Sequence, residues 1–219
     1  MVLQKKAIVF DLDGVICFTD RFHYQAWKAL ADRLGIEFNE EINNRLRGVS
    51  RMASLEIILE REDREYSCEE KLAFTEEKNE CYRQLLASMT PADLSEEVRA
   101  TLEELRRRGY LLSIGSSSKN TKFILERIGL GGFFDAIADG TDITHSKPDP
   151  EVFLISAEKV GAAPADCAVV EDAKAGIQAA KAAGMTALAL FGDAANCGLE
   201  DYDLSSFSDL LNLFPARQA

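Results

Sequence analysis

Ala7-Ile8-Val9-Phe10-Asp11-Leu12-Asp13-Gly14-Val15 is the stretch on which the reading of this chain turns. A continuous apolar run that stops at two carboxylates and a glycine reads as a buried parallel strand delivering acids to a loop. That edge of an open α/β sheet is where ligands bind. Were the strand geometry to persist, Asp11 and Asp13 would project to the same side while Gly14 turns the chain away. Taken alone, an Asp-x-Asp pair fits a solvated loop with a helix cap at least as well as a site. The choice depends on whether other loops bring matching chemistry to the same place.

Downstream of the acids, Asp20 can cap a helix in which Phe22, Ala26, Trp27, Leu30, Ala31 and Leu34 recur at helical spacing up to Gly35. A short helical pattern over residues 40 to 46 gives way to the cationic turn Arg47-Gly48-Val49-Ser50-Arg51, after which Leu55, Ile58 and Leu59 resume the period. A long charged helix follows over residues 67 to 87, closed by Thr90-Pro91-Ala92. Residues 18 to 88 therefore read as an all-helical block inside a chain that otherwise alternates.

The alternation resumes with a helix over residues 95 to 108 and a strand over 110 to 114 ending in Gly115-Ser116-Ser117-Ser118. Expected next are a helix over 119 to 128, a strand over 134 to 137, a loop over 139 to 150 and a helix reaching 160. A strand over 167 to 170 runs into Glu171-Asp172, then a helix spans 173 to 183 and a last strand 185 to 190. A short helix over 208 to 214 closes a weakly patterned tail. Such repetition predicts a parallel sheet with helices on both faces and right-handed crossovers. Loops that follow its strands share one edge.

At 219 residues and 47% hydrophobic content the chain can bury a substantial core. A formal net charge of -12 disfavours nucleic acid and anionic membranes as partners, so any phosphate site must be a local cationic pocket. Cys17, Cys68, Cys81, Cys167 and Cys197 are odd in number and form no Cys-x-x-Cys pair, which argues against a disulfide framework or a zinc site. The apolar run before Asp11 is too short for a signal peptide and no stretch reaches membrane-spanning length, so a cytoplasmic protein is expected.

Four loops can meet at the sheet edge: Asp11 with Asp13, residues 116 to 120, Lys147, and Glu171 with Asp172. Carboxylates with one lysine and a hydroxyl suit Mg²⁺ and a phosphoryl group, because a hard cation takes oxygen ligands and the phosphate supplies more of them. Singly, Glu171 and Asp172 fit an N-cap pair, and Lys147 fits a surface residue before Pro148. Jointly these separate explanations fail. Phe10-Asp11-Leu12-Asp13-Gly14-Val15, Gly115-Ser116, Ser146-Lys147-Pro148-Asp149-Pro150 and Glu171-Asp172-Ala173-Lys174-Ala175-Gly176, in that order, resemble the four motifs of the haloacid dehalogenase-like phosphotransferases. Within that family the likeness is greatest to the β-phosphoglucomutases. It is carried by His23-x-x-x-Trp27-Lys28-x-Leu30-Ala31, Leu46-Arg47-Gly48-Val49-Ser50-Arg51 with Ser54-Leu55, Lys78-Asn79 and Ser118-Lys119-Asn120.

The resemblance implies a Rossmann-like parallel-sheet core, residues 1 to 17 and 89 to 219, interrupted by a helical cap domain, residues 18 to 88. It implies Asp11 as the nucleophile that becomes an aspartyl phosphate and Asp13 as general acid and base. Mg²⁺ would be held by the Asp11 carboxylate, the Asp13 main-chain carbonyl and Asp172, with Glu171 at or next to it. Ser116 and Lys147 would hold the transferring phosphoryl. For a second, distal phosphate it implies Arg51 with Ser118, Lys119 and Asn120, arginine's planar fork being suited to phosphate. His23, Trp27, Gly48, Val49, Ser54 and Lys78 match positions around the sugar. On their own residues Trp27 fits core better than a ligand role, while His23 also fits a satisfied helix position and Lys78 a solvated face.

One departure stands out. Phe18 in Cys17-Phe18-Thr19 falls where the family has an aspartate at the expected hinge, and it can pack into that hinge instead. The expected activity is a Mg²⁺-dependent isomerisation of β-glucose 1-phosphate and glucose 6-phosphate through the 1,6-bisphosphate, by a monomer. The competing expectations are a sugar-phosphate phosphatase of the same fold and an inactive phosphosugar-binding protein.

Overall fold

The computed structural model describes residues 2–46, 49–62 and 64–217. The chain divides into two compact units, Met1–Phe18 with Thr90–Ala219, and Thr19–Met89. The first is built on a parallel sheet of β1 (Ala7–Phe10), β2 (Leu111–Gly115), β3 (Ala136–Ala138), β4 (Cys167–Glu171), β5 (Thr186–Leu190) and β6 (Tyr202–Leu204). The strand order is β3-β2-β1-β4-β5-β6. β1 pairs with β2 from Ala7↔Leu111 to Phe10↔Ile114, and with β4 from Ala7↔Cys167 to Phe10↔Val170. A strand flanked on both sides and covered on both faces must be apolar throughout, and all four β1 residues are fully buried. The order reverses between β1 and β4, so the crevice at their carboxyl ends is the topological switch point.

In the second unit α1 (Asp20–Leu34), α2 (Glu40–Asn44), α3 (Arg51–Leu59) and α4 (Cys68–Leu86) enclose a core of Trp27, Leu30, Ala31, Phe38, Leu55 and Ile58. Three of these helices start on side-chain caps that their sequences supply. Asn39, Ser50 and Ser67 accept the amide hydrogens of Ile42, Ala53 and Glu70, the last within a capping box. α1 differs from expectation. Its N-cap is Thr19 and Asp20 is its first helical residue, where the carboxylate meets the positive end of the helix dipole. The Thr19 hydroxyl is instead engaged by the Tyr82 hydroxyl, 3.0 Å away.

The sheet is covered by α5 (Glu96–Arg107), α6 (Thr121–Arg127), α7 (Glu151–Lys159), α8 (Lys174–Ala182) and α9 (Leu210–Leu213). Val152, Phe153 and Ala157 of α7 and Ile177, Ala179 and Ala180 of α8 bury with Val9, Val169 and Ala187 in one cluster. The alternation of β1 sends Phe10 to the other face, 5.7 Å from the ring of Phe207. Two expectations for the tail need correction. β5 is not the last strand, since β6 pairs with it from Leu188↔Tyr202 to Leu190↔Leu204, and residues 207 to 209 form a 3₁₀ turn before α9. β6 has three residues, too few to show a period, and its register is secured from outside by Asp201, whose carboxylate accepts the Ala187 amide at 2.8 Å. The expected strand over 134 to 137 lies over Ala136–Ala138, because the Asp135 carboxylate is committed to the Leu112 amide at 2.8 Å.

Candidate active site

β1 ends at Phe10, so strand alternation does not set the positions of Asp11 and Asp13. The Asp11 amide continues the ladder by donating to the Val170 carbonyl at 3.0 Å, which fixes this residue beside the end of β4. Gly14, at φ 87, then turns the chain, and its amide donates to the Cys17 carbonyl at 2.8 Å. Asp11 is buried and Asp13 half-buried.

Lys147 reaches the same point from the loop before α7. Its Nζ donates to Asp11 Oδ1 at 2.5 Å and to Glu171 Oε1 at 2.6 Å, with the Lys147 side chain only 7% exposed and that of Glu171 1%. Glu171 Oε2 accepts the amides of Asp172 and Ala173, both at 2.9 Å. Both of its oxygens are thus engaged. Glu151 shapes the Lys147 loop by accepting the amides of Thr144 at 2.9 Å and His145 at 2.6 Å. Gly176, one turn into α8, leaves room for the buried glutamate, since a Cβ there would lie 1.9 Å from Glu171 Oε1.

Burial pushes the Asp11 carboxyl up to about 7; Lys147 opposes that rise, and Glu171 and Asp13 add to it. Burial likewise raises Asp172 to about 8, helped by Glu171 and Asp11. Lys147 is pulled down by its own burial, but the charges of Asp11 and Glu171 and its hydrogen bonds to them outweigh this and hold it above the usual lysine range. One lysine therefore stands against more acid than it can neutralise. Carboxylate oxygens of Asp11, Glu171 and Asp172 lie within 4.8 Å of one another. Such a set of hard oxygen donors, under mutual repulsion, fits a small divalent cation of the Mg²⁺ type.

The loop after β2 lies on the same edge. Ser116 is buried, its amide donates to the Ala138 carbonyl at 3.1 Å, and its hydroxyl accepts the Ser118 amide at 3.2 Å. The Ser118 hydroxyl accepts the Asn120 amide at 3.2 Å. The following helix starts at Thr121, not at residue 119, because this chain of side-chain-to-amide bonds holds residues 116 to 120 in a turn. Lys119 is exposed within it and Asn120 is buried. Ser117 Oγ is buried without a hydrogen-bond partner among the described residues.

In the helical unit, Lys78 is buried, which excludes the solvated-face reading. Its Nζ lies 2.9 Å from His23 Nδ1, 4.8 Å from the Trp27 ring centre and 4.5 Å from that of Tyr82. Trp27 is core, and it also forms a wall of this cage. Tyr82, one turn beyond Lys78 on α4, was not singled out in the sequence; the signal was its i,i+4 spacing from Lys78. Arg51 is half-buried in the first turn of α3, Ser54 is buried and Val49 exposed. Gly48 lies outside the described residues. Phe18 is not packed away: it is 63% exposed, while the neighbouring Thr19 is fully buried.

Burial, then the charges of Lys78 and Arg51, hold His23 well below its usual range. Neutral in the native state, its Nδ1 accepts from the lysine. The unfolded chain takes up a proton that the native His23 refuses, so stability falls as pH drops below about 6.5, by up to about 1.4 kcal/mol per unit. His23→Gln is expected to lose less thermal stability than wild type between pH 7.5 and 5.5. Parallel losses in the two proteins would show that His23 protonates freely in the native state.

The structure is thus an α/β protein with a lysine-bridged carboxylate cluster at the switch point of its parallel sheet and a serine loop on the same edge. The haloacid dehalogenase-like hydrolase family matches residues 5–184, and the chain belongs to that enzyme family. The chain is 42% identical over 185 residues to the beta-phosphoglucomutase of Bacillus subtilis (strain 168), covering 84% of this chain and 82% of that protein. It is 33% identical to the fructose-1-phosphate phosphatase YqaB of Escherichia coli (strain K12), over 83% of this chain and 94% of that one. The crystal structure of beta-phosphoglucomutase from Clostridium difficile superposes with a TM-score of 0.86 at 36% identity, covering 96% of this chain and 93% of the other. No described helix is long and apolar enough to cross a membrane.

Proposed function

We propose that this enzyme is a β-phosphoglucomutase, interconverting β-D-glucose 1-phosphate and D-glucose 6-phosphate through an aspartyl phosphate and β-glucose 1,6-bisphosphate. The observation that carries the reading is the buried Asp11, held by Lys147 beside Glu171 and Asp172 at the switch point, in a chain 42% identical to a mutase. An Asp11 carboxylate oxygen attacks the phosphorus of the donor, forming the Asp–O–P bond as the P–O bond to the sugar breaks. Asp13 gives its proton to the leaving sugar oxygen and removes one from the hydroxyl that attacks in the second half-reaction. Lys147 offsets phosphoryl charge and Ser116 donates a hydrogen bond to it. Asp11, Asp172 and the Asp13 carbonyl are the groups that would hold Mg²⁺. Glu171, whose oxygens already accept from Lys147 and from the amides of Asp172 and Ala173, would support this set from beside it and not as a ligand. Bound there, the ion supplies further neutralisation of the transferring group.

A phosphatase of the same fold is the second reading, favoured by the 33% identity to a sugar-phosphate phosphatase. A coupled assay on both anomers of glucose 1-phosphate, with and without the bisphosphate, separates the two. Bisphosphate-dependent isomerisation of the β anomer is expected; release of inorganic phosphate alone would decide for the phosphatase.

We assign the distal phosphate to Arg51. Its binding energy is then used only by substrates that carry a phosphate away from the reacting one. Arg51→Ala is expected to cost isomerisation on the order of a hundredfold, yet barely alter phosphorylation of the enzyme by acetyl phosphate. Equal losses in both reactions would indicate general damage to the protein, and no loss would remove Arg51 from the mechanism.

A further inference from the structure

β5 hands the chain to a turn, residues 191 to 194, that the chemistry above does not use. Phe191 sits in the left-handed region at φ 62 although it is not glycine, and the residue is 46% exposed, so full burial of the side chain does not account for the conformation. Such outliers persist where surrounding structure holds them. Gly192 follows at φ 57, and a Cβ on it would lie 2.1 Å from the Asp172 carbonyl oxygen. The turn is pressed onto the backbone of Asp172.

Two hydrogen bonds join the surfaces. The Ala194 amide donates to the Asp172 carbonyl at 3.0 Å, and Asp193 Oδ1 accepts the Lys174 amide at 2.9 Å. The second bond replaces something α8 lacks, for its N-cap residue is Ala173, which has no side-chain acceptor. With Glu171 taking the amides of Asp172 and Ala173, the three successive amides of residues 172 to 174 all end on carboxylates. Asp172 needs such bracing, because its carboxylate shares a small volume with those of Asp11 and Glu171, their oxygens lying within 4.8 Å of one another, and its direction there is set by the backbone that carries it.

We propose that Asp193 is a positioning residue for the cation site: by fixing the Lys174 amide it holds the 172 to 174 backbone so that the Asp172 carboxylate stays aimed at the cation. The inference rests on the reading of Asp172 as a Mg²⁺ ligand. The test is calorimetric titration of Mg²⁺ alone into wild type, Asp193→Ala, Asp193→Asn and Asp172→Ala, with thermal unfolding of each. Asp193→Ala is expected to weaken Mg²⁺ binding about tenfold, as loss of a group that orients a ligand does. Asp193→Asn keeps an amide oxygen that can accept the Lys174 hydrogen and is expected to stay within about threefold of wild type. Wild-type affinity in Asp193→Ala, whatever its thermal stability, overturns the proposal in favour of a plain helix cap. Equal weakening in the Ala and Asn variants also overturns it, since charge and not the hydrogen bond would then be responsible. Undiminished Mg²⁺ binding by Asp172→Ala would instead show that Asp172 is not a ligand, a failure of the underlying reading visible independently of the Asp193 variants.

Discussion

Asp11→Asn is expected to abolish phosphoryl transfer, by about 10⁴-fold or more, while leaving the protein folded. The amide is nearly isosteric but cannot act as the nucleophile, so neither isomerisation nor labelling of the enzyme by acetyl phosphate should survive. Stability should move the other way. Asp11 is raised to about 7 from an ordinary value of 3.8, so the native state is most favoured with this carboxyl protonated. Its contribution is fully present below the unfolded value and is lost as pH rises through about 7. Asparagine has no charge to desolvate, and Lys147 keeps its bond to Glu171. Without divalent cations, Asp11→Asn should therefore melt higher than wild type at pH 8, with the difference shrinking toward pH 5. Residual transfer in the purified variant would remove Asp11 as nucleophile; a variant that melts lower at pH 8 would contradict the origin of the raised pKa.

Lys147→Met is expected to cost phosphoryl transfer about 10³-fold and to destabilise the protein at pH 8 by about 3–5 kcal/mol. The lysine ammonium bridges two carboxylates that are otherwise buried beside each other, and truncating one member of a buried pair leaves the other charges uncompensated. Methionine matches the length of the aliphatic stem and keeps an apolar group near the Phe153 ring, whose centre lies 4.6 Å from the Lys147 Nζ, so loss of packing is a minor contribution. The pH dependence identifies the cause. Without the lysine, Asp11 rises further above its unfolded value, so the variant recovers stability as pH falls and the carboxyl takes up a proton. The gap in melting temperature from wild type should be widest near pH 8 and narrow near pH 5. A gap that does not change with pH would point to packing.

Much of the fold was legible because it depends on local rules. The run Ala7 to Phe10, apolar at every position and stopped by acids and a glycine, reads as a strand covered on both faces, and it lies inside the sheet between β2 and β4. Ser67 with Glu70 specifies where α4 begins, and the Gly35 stop specifies where α1 ends, because capping involves residues at most a few positions apart. The acids after β1 and β4 and the serine after β2 had to share one edge once the strands were known to be parallel. What the sequence could not express are contacts between residues far apart in the chain whose worth depends on burial. The bond of Lys147 to Asp11 and Glu171 spans 136 and 24 positions, and only their removal from water turns three ordinary surface residue types into a coupled cluster. Lys78 reads as a solvated helix residue until His23, 55 positions earlier, is found against its ammonium. Asp193 belongs to a weakly patterned tail, and its partner is a backbone amide, which every residue but proline carries and which therefore leaves no trace in the sequence. Periodicity and capping are written in neighbouring residues, whereas charge burial and backbone bracing arise only when folding brings distant segments together.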